Sequence, residues 1–493
     1  MYFLMNKDRE IGQFNILHNE IGNSYQFEHT DGNLPVGFKY IDAWLENRKA
    51  SKDNAHLRKI MKDCGCDTTE GFIKVTHAAS INDTFWIKSD KEDVLWKDIS
   101  FYSNPFDENV SKLAFEGLGL YGIKVTSTLP ELSTNGSFRK CWKRDINENG
   151  DKQIFLYKGG SVGAGNAGLE PYCEVMSAEI AREILGKNAV PYYLTKFHGK
   201  IASKCPLFTN ESYGYVPIAK FNINYTSPVD LMKFYEKLNS EDTFRKMLVL
   251  DAITFNVDRH AGNHGVLVNN DTQKPITMAP VFDLNMSLLP YVIKEEMLNI
   301  GDKLEEYGPR IGEDFTRIGQ QAMTSETEKI LRGLKGFQFS FQGDDTFPKE
   351  RVKFLETMVN KQIEALLSKE ILYTKDVFVP KREHNIEEKV DTDCNEKYEA
   401  LAEKIWNNKE ISEWFSMYDI EDNEMILFSK NNPHEEIHLN LDNGETSMYI
   451  DGNPIDIGNL VINHEELSKM EDIVQKVYNN VDIEEINKNE LEH

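Results

Sequence analysis

The chain has 493 residues, 40% of them hydrophobic and 11% aromatic, and a formal net charge of −25. That length exceeds one ordinary core, so two to four domains are expected. The acidic balance repels a phosphate backbone and argues against direct nucleic-acid binding, six cysteines make no disulfide framework, and no apolar run reaches the ~18 residues of a membrane span.

In chain order, residues 1–110 read as a small α/β module. The opening "MYFLMNKDRE" turns polar too soon for a signal peptide. Cys64 and Cys66 form a lone C-x-C, with no second pair at zinc spacing. Reduced thiols in a cytoplasmic protein are the expectation. "YIDAWLENRKAS" and "AHLRKIMKDCG" have helical spacing, and "INDTFWIKS" alternates like a strand.

Residues 111–210 are strand-rich. "YGIKVTSTL", "KQIFLYKG" and "YYLTKFHGKIASKCPLFT" carry the strand signals. One helix interrupts them, "PYCEVMSAEIAREILG", with Pro171 in its first turn and Gly186 just past its end. Residues 211–380 turn helical, beginning with "PVDLMKFYEKL" and "DTFRKMLVLDAITFN". The stretch 264–282 reads as a hairpin, and 348–368 as an amphipathic helix with Val352, Leu355, Val359, Ile363 and Leu366 on one face. A charged, glycine-free linker, "KREHNIEEKVDTDC", leads to an α+β module over 395–490. There a helix near 396–414, two hairpins and a last helix near 464–478 are expected. The sequence assigns this module no role.

The stretch "NVDRHAGNHG", residues 256–265, is the chemically suggestive one. Asp258 and Asn263 have the D-x-x-x-x-N spacing with which a phosphoryl-transfer loop presents a carboxylate to the attacking hydroxyl and an amide to Mg²⁺. The hairpin that follows ends in "VFDLN" and offers Asp283 as a second metal carboxylate. Mg²⁺ takes hard oxygen ligands and keeps waters, so one Asn and one Asp suffice. Upstream, Lys158 ends the apolar strand "IFLYK" and suits the α/β-phosphates. Glu174 shares a helical stripe with Ala178, Ala181 and Leu185, and is the natural partner of Lys158. The polar turn "STNGSFRK" could lie over phosphates with its backbone N–H groups.

Together, "LYKGGS…GLEPYCEVMSAEIAREILG", "NVDRHAGNHG" and "APVFDLN" resemble the HipA-like serine/threonine kinases over roughly residues 120–375. The order D-R-H also resembles the phosphoinositide kinases. The resemblance implies an α+β, two-lobed protein-kinase-like fold of HipA type, with a strand-rich N-lobe and a helical C-lobe, flanked by the N-terminal and C-terminal modules. It implies ATP and Mg²⁺, Asp258 as the catalytic Asp with His260 beside it, Asn263 and Asp283 as metal ligands, and Lys158 with Glu174 on the nucleotide. Ser133, Thr134, Asn135, Gly136 and Ser137 become the phosphate loop. Within it Ser133, Thr134 or Ser137 would be autophosphorylated, Ser137 slightly ahead. Cys205, Leu207 and Phe208 come to lie by the adenine. The partners implied are a protein substrate and, since several such kinases are toxins, an antitoxin.

The pattern departs from ordinary protein kinases. There is no G-x-G-x-x-G, D-R-H replaces H-R-D, "FDL" replaces DFG, and no A-P-E follows. Each residue also has a plainer role. Asp258 and Asn263 suit a capped turn, Lys158 an edge-strand lysine, and Glu174 an ordinary helix-face acid. His260 suits a loop-orienting histidine, a phosphate contact or a general base. Arg259 reads as a loop-fixing donor to a carboxylate, and Asp251 as structural. Two other functions stay open: a catalytically silent kinase-fold binding module, and a lipid or small-molecule kinase.

Overall fold

The structure is a computed structural model, and it describes residues 1–19, 22–49, 61–62, 64–66, 68–116, 129–134, 138–146, 150–162, 167–300, 307–368, 401–402, 404–421, 424–429, 435–441, 444–450, 453–454, 469 and 473–478. Its contacts divide the chain into two units, Met1–Pro380 and Lys381–His493.

The first unit opens with strands β1 (Tyr2–Asn6), β2 (Arg9–Asn19) and β3 (Gly22–His29). Helices α1 (Ile41–Glu46) and α2 (Thr69–Thr76) and strand β4 (Phe85–Ser89) follow, then short helices α3 (Trp96–Ile99) and α4 (Glu108–Glu116). The four strands form one sheet in the order β3-β2-β1-β4. Every pairing in it is antiparallel. This corrects the α/β expectation: the module is α+β. The cause is connection length, because a two-residue turn at Lys7–Asp8 can only reverse the chain. Leu4, Ile11 and Phe14 from the strands meet Phe72, Ile73 and Val110 from the helices in a common core. Thr68 caps α2 by accepting the Gly71 N–H.

A second sheet holds β5 (Lys140–Ile146), β6 (Lys152–Gly159), β7 (Tyr193–Phe197) and β8 (Lys200–Pro206), in the order β5-β6-β8-β7. Between β6 and β7 runs helix α5 (Glu170–Leu185), started by Pro171 and stopped at Gly186 (φ 57°), as the sequence expects. Strand β9 (Tyr213–Pro217), helices α6 (Pro228–Glu236) and α7 (Glu241–Thr254), and the hairpin β10 (Gly265–Asn269) and β11 (Pro275–Met278) come next. The expected hairpin is thus present, and β9 joins it as a third strand, in the order β11-β10-β9. Helices α8 (Phe315–Ala322), α9 (Ser325–Gly333) and α10 (Lys349–Leu367) complete the unit. The apolar faces of α5, α7, α8 and α10 share one large core. Two stretches read as elements, the strand "YGIKVTSTL" and most of the helix "AHLRKIMKDCG", lie outside the described residues.

The second unit has helix α11 (Lys409–Trp414) and a five-stranded antiparallel sheet. Its strands β12 (Phe415–Glu421), β13 (Glu424–Ser429), β14 (Glu435–Asn440), β15 (Thr446–Ile450) and β16 (Asn453–Pro454) lie in sequence order. The two expected hairpins are therefore parts of one meander. Leu401, Ile405, Leu427, Ile437, Val474 and Val477 belong to its own core. Among the described residues, no helix is long and apolar enough to cross a membrane, and the five described cysteines are free thiols.

Candidate active site

Strand β6 is buried on both faces, Phe155 and Tyr157 on one and Ile154 on the other, and the face of Ile154 ends in a cation. Lys158 is only 6% exposed. Antiparallel register sets it beside Lys140 of β5 on one side and Ser203 of β8 on the other, and directly opposed residues share a sheet face. Helix α5 brings Glu174 to that face, wholly buried. Lys158 Nζ donates to Glu174 Oε1 at 2.5 Å, and Ser203 Oγ donates to Glu174 Oε2 at 2.5 Å. The same ammonium donates to Asp283 Oδ1 at 2.5 Å. The partner assigned to Lys158 from the helical stripe is thus the one it has.

The electrostatics follow from two carboxylates on one ammonium in a dry place. Burial by itself drives the Lys158 amine down, but Asp283 and Glu174 outweigh it and hold the ammonium well above its ordinary range. Burial pushes the Glu174 carboxyl up against the pull of Lys158. At Asp283 burial also pushes up, but Lys158 and Lys140 together prevail and hold it below the usual carboxylate range. Lys140, 7% exposed, is lowered to about 8 by burial, with Lys158 adding to the fall and Asp283 opposing it. With Lys140 protonated, two cations balance two anions.

The loop after α7 supplies the other half. Phe255 ends the helix in the left-handed region (φ 52°). Asp251, still on the helix, takes Arg259 Nε and Nη2 at 2.9 Å each, and Asn256 Nδ2 at 2.9 Å. Arg259 Nη1 then donates to the carbonyls of Asn263 (2.9 Å) and Phe282 (2.7 Å). One buried guanidinium therefore ties the polar loop to the residue before Asp283, across the whole hairpin β10–β11. The loop-fixing role expected of Arg259 and the structural one expected of Asp251 are this contact. Asn263 Nδ2 donates to the Asp258 carbonyl at 2.8 Å, which leaves the amide oxygen for a cation. His260 Nδ1 accepts the Gly262 N–H at 2.9 Å. A Cβ on Gly262 would stand 2.7 Å from the His260 ring, so only glycine allows this fold-back.

Asp258 is raised by burial and by Asp283, against the pull of His260. Two carboxylates that repel one another while partly buried are what a divalent cation relieves. Asn263 and Asp283, the two residues the sequence offers to Mg²⁺, carry hard oxygen donors of the kind that ion takes. Among the described residues there is no group of three or more His, Cys, Asp or Glu placed to hold a metal.

The remaining sequence candidates fall in two places. Ser133 and Thr134 close a 3-10 turn (Pro130–Ser133), and both hydroxyls donate to the Pro130 carbonyl, at 3.2 and 2.6 Å. Thr134 Oγ1 also accepts Trp142 Nε1 at 2.9 Å. Asn135, Gly136 and Ser137 lie outside the described residues. On the other side, Cys205 is buried opposite Leu156, and the Leu207 N–H is taken by the Ile154 carbonyl at 2.8 Å. Phe208 packs with Tyr215 and Phe282, ring centroids 5.3–5.8 Å apart. These aromatics stand next to Asp283 and give a planar ligand an apolar wall.

Sequence reading missed Ser203 and Tyr192, whose hydroxyl accepts the Asp283 N–H at 3.1 Å, and it placed Lys140 at the end of the polar turn without setting it beside Lys158. Lys140 and Ser203 had one available signal, their parity with Lys158 on neighbouring strands. Beneath the 3-10 turn, Glu131 was also unforeseen. It is 1% exposed, and its Oε1 accepts from Ser111 Oγ (2.9 Å) and Trp142 N (3.1 Å). Its Oε2 has no hydrogen-bond partner, and burial pushes the carboxyl up to about 7.

Comparison with known proteins gives likenesses of fold only. No family model matches the sequence, and no curated protein matches it. Among solved structures, the Helicobacter pylori proinflammatory kinase CtkA is similar at 18% identity and TM-score 0.34, over 46% of this chain and 93% of that one. HipA of Shewanella oneidensis MR-1, solved with HipB and operator DNA, is similar at 11% identity and TM-score 0.44, over 75% of this chain and all of the other. The Neurospora crassa PAN3 pseudokinase reaches TM-score 0.19 at 11% identity. At such scores the likenesses decide nothing about chemistry, which rests on the residues themselves.

Proposed function

We propose that this protein is a kinase of HipA type, which transfers the γ-phosphoryl group of ATP to a protein hydroxyl with Mg²⁺. The observation that carries the reading is the convergence on Lys158: Glu174 from the helix and Asp283 from beyond the hairpin both reach its ammonium at 2.5 Å, with the Asp258–Asn263 loop fastened alongside by Arg259.

In this reading Mg²⁺, held by Asp283 and Asn263, neutralises phosphate charge when bound. The chain's own groups do the rest. Glu174, fixed by Ser203, aims the Lys158 ammonium. Lys158 exchanges its contact with Asp283 for phosphate oxygens, which frees the carboxylate for the cation. Lys140 adds a second positive charge on the same sheet face. Asp258 orients the attacking hydroxyl in a loose transition state and accepts its proton. His260, bonded to Gly262, shapes the loop. The wall of Phe208, Tyr215 and Phe282, with Cys205 and Leu207, receives the adenine. On the motif resemblance alone, residues 133–137 are assigned to the phosphates, and a self-modified hydroxyl is sought among Ser133, Thr134 and Ser137. An antitoxin-like partner belongs to the proposal on the motif resemblance alone.

The test is incubation of the full chain with γ-labelled ATP and Mg²⁺, followed by mass spectrometry of the chain and of a cell lysate. The expected result is labelled Ser or Thr that disappears in Asp258→Asn and Asp283→Asn. Nucleotide binding without transfer would support a silent binding module instead, and labelled lipid or metabolite would support a small-molecule kinase.

A further inference from the structure

Asp283 stands in the left-handed backbone region, with φ at 57°, which aspartate enters more readily than most side chains but which its surroundings must still select. What holds it comes from the far end of α5. After Gly186 the chain runs beside the approach to Asp283 as a short parallel strap. Val281 N donates to the Asn188 carbonyl at 2.7 Å, and Val190 N to the Val281 carbonyl at 2.9 Å, which makes the bridge Ala189↔Val281. Two residues further, Tyr192 is 8% exposed, and its phenol oxygen accepts the Asp283 N–H at 3.1 Å. The Tyr192 ring also lies by the Lys158 ammonium, 5.8 Å from its centroid.

Helix α5 therefore touches both ends of the Lys158 cluster. Its start carries Glu174, and its exit strap carries the group that satisfies the Asp283 amide. A buried N–H has a strong need for an acceptor, and without one the peptide at Asp283 has reason to turn over and carry the carboxylate away. We propose that Tyr192 is a positioning residue for the metal carboxylate, holding Asp283 in the left-handed conformation from which it meets both Lys158 and a divalent cation. This rests on the kinase reading above. Tyr192 touches no reacting atom. Its effect passes through Asp283 and falls on the metal requirement rather than on the nucleotide's affinity alone.

The experiment compares wild type with Tyr192→Phe in the full chain. Binding of a non-hydrolysable ATP analogue is measured by calorimetry, first without metal and then across a Mg²⁺ titration. The phosphoryl-transfer rate is followed over the same titration. The expected result is metal-free binding within about twofold of wild type, with a Mg²⁺ midpoint raised roughly tenfold in both assays and transfer largely restored at saturating Mg²⁺. A core tyrosine with no positioning role would lower stability and leave the midpoint alone. If Tyr192→Phe fails to fold, replacement of Tyr192 by a ring-fluorinated tyrosine keeps the shape and weakens the acceptor, and the midpoint must still rise. An unchanged midpoint in a folded variant overturns this inference while the kinase reading stands. A wild-type chain that binds no Mg²⁺–nucleotide overturns both.

Discussion

Two buried cations stand on either side of the chain segment Phe282–Asp283, and they are partnered differently. Arg259 has one carboxylate, Asp251, and two backbone carbonyls. Lys158 has two carboxylates at equal distance. The first is closed: charge matches charge, and the guanidinium's remaining donors hold backbone. The second is a cluster of four charged groups, in which Lys158 and the neighbouring Lys140 face Glu174 and Asp283, so Lys158 can exchange its contact with Asp283 for a ligand while Glu174 still answers it. Buried ion pairs are weak evidence for stability in general. Here the partners separate the pair that builds the loop from the cluster that the proposed kinase reading assigns to the nucleotide.

Breaking the closed pair has the largest expected effect. Arg259→Met leaves Asp251 buried with only Asn256 to answer it, and a loss of about 3–5 kcal/mol is expected. It is read in the urea unfolding of the full chain, as a lower midpoint of the transition that reports the first unit. A variant that melts like wild type sinks the structural assignment of Arg259. Asp283→Asn should do the reverse. It leaves Lys158 matched by Glu174 and deprives Lys140 of an anion, but that amine, already lowered to about 8, can shed its proton, so the unfolding free energy should fall by less than for Arg259→Met, on the order of 1–2 kcal/mol. Phosphoryl transfer should fall on the order of 10³-fold or more, because the carboxylate that meets the metal is gone. Steady-state rates alongside melting curves test the contrast directly.

How far these two clusters were legible in the sequence follows from how local they are. Asp258, Asn263 and Asp283 announce themselves by short spacings and a readable hairpin, and Glu174 by a helical stripe with Pro171 and Gly186 marking its helix. Lys158 ends an apolar strand. The place of Lys140 beside Lys158 was hidden because it depends on a strand register, which the sequence does not print. Tyr192 was hidden because the strap from Asn188 to Tyr192 is irregular chain, without a period. The antiparallel order of the first sheet was missed for a related reason. The strands before His29 alternate poorly, being interrupted by Gly12 and polar residues, and the two-residue turn at Lys7–Asp8 is what reverses β1 into β2.

Glu131 extends the contrast to a buried anion with no cation at all. Its carboxyl rises from an ordinary 4.5 to about 7 through burial. The native state therefore holds a proton that the unfolded chain releases above pH 4.5. Folding stability falls as pH rises from 4.5 to about 7, and the penalty is complete above that, at about 3 kcal/mol by 1.36 kcal/mol per pH unit. Glu131→Gln removes the penalty. It should raise the melting temperature at pH 8 and lose that advantage as the pH falls toward 5. A constant difference across the range would mean that Glu131 is ionised in the folded protein.

The smallest effect expected concerns Lys140, which tests whether the sheet face beside Lys158 belongs to the nucleotide. Its amine is lowered to about 8 by burial next to Lys158. Bound phosphate would favour the charged form and raise that value. By linkage, ATP affinity is then full below pH 8 and declines above it, until the pKa of the complex is passed. Lys140→Met should weaken ATP about tenfold at pH 7, on the order of 1.4 kcal/mol. It should also flatten the decline, so that variant and wild type converge near pH 9.5. Calorimetric titrations at pH 7, 8, 9 and 9.5 measure both features. Equal affinities at pH 7 would show that Lys140 only balances Asp283 and Glu174, and that Lys158 alone faces the phosphates.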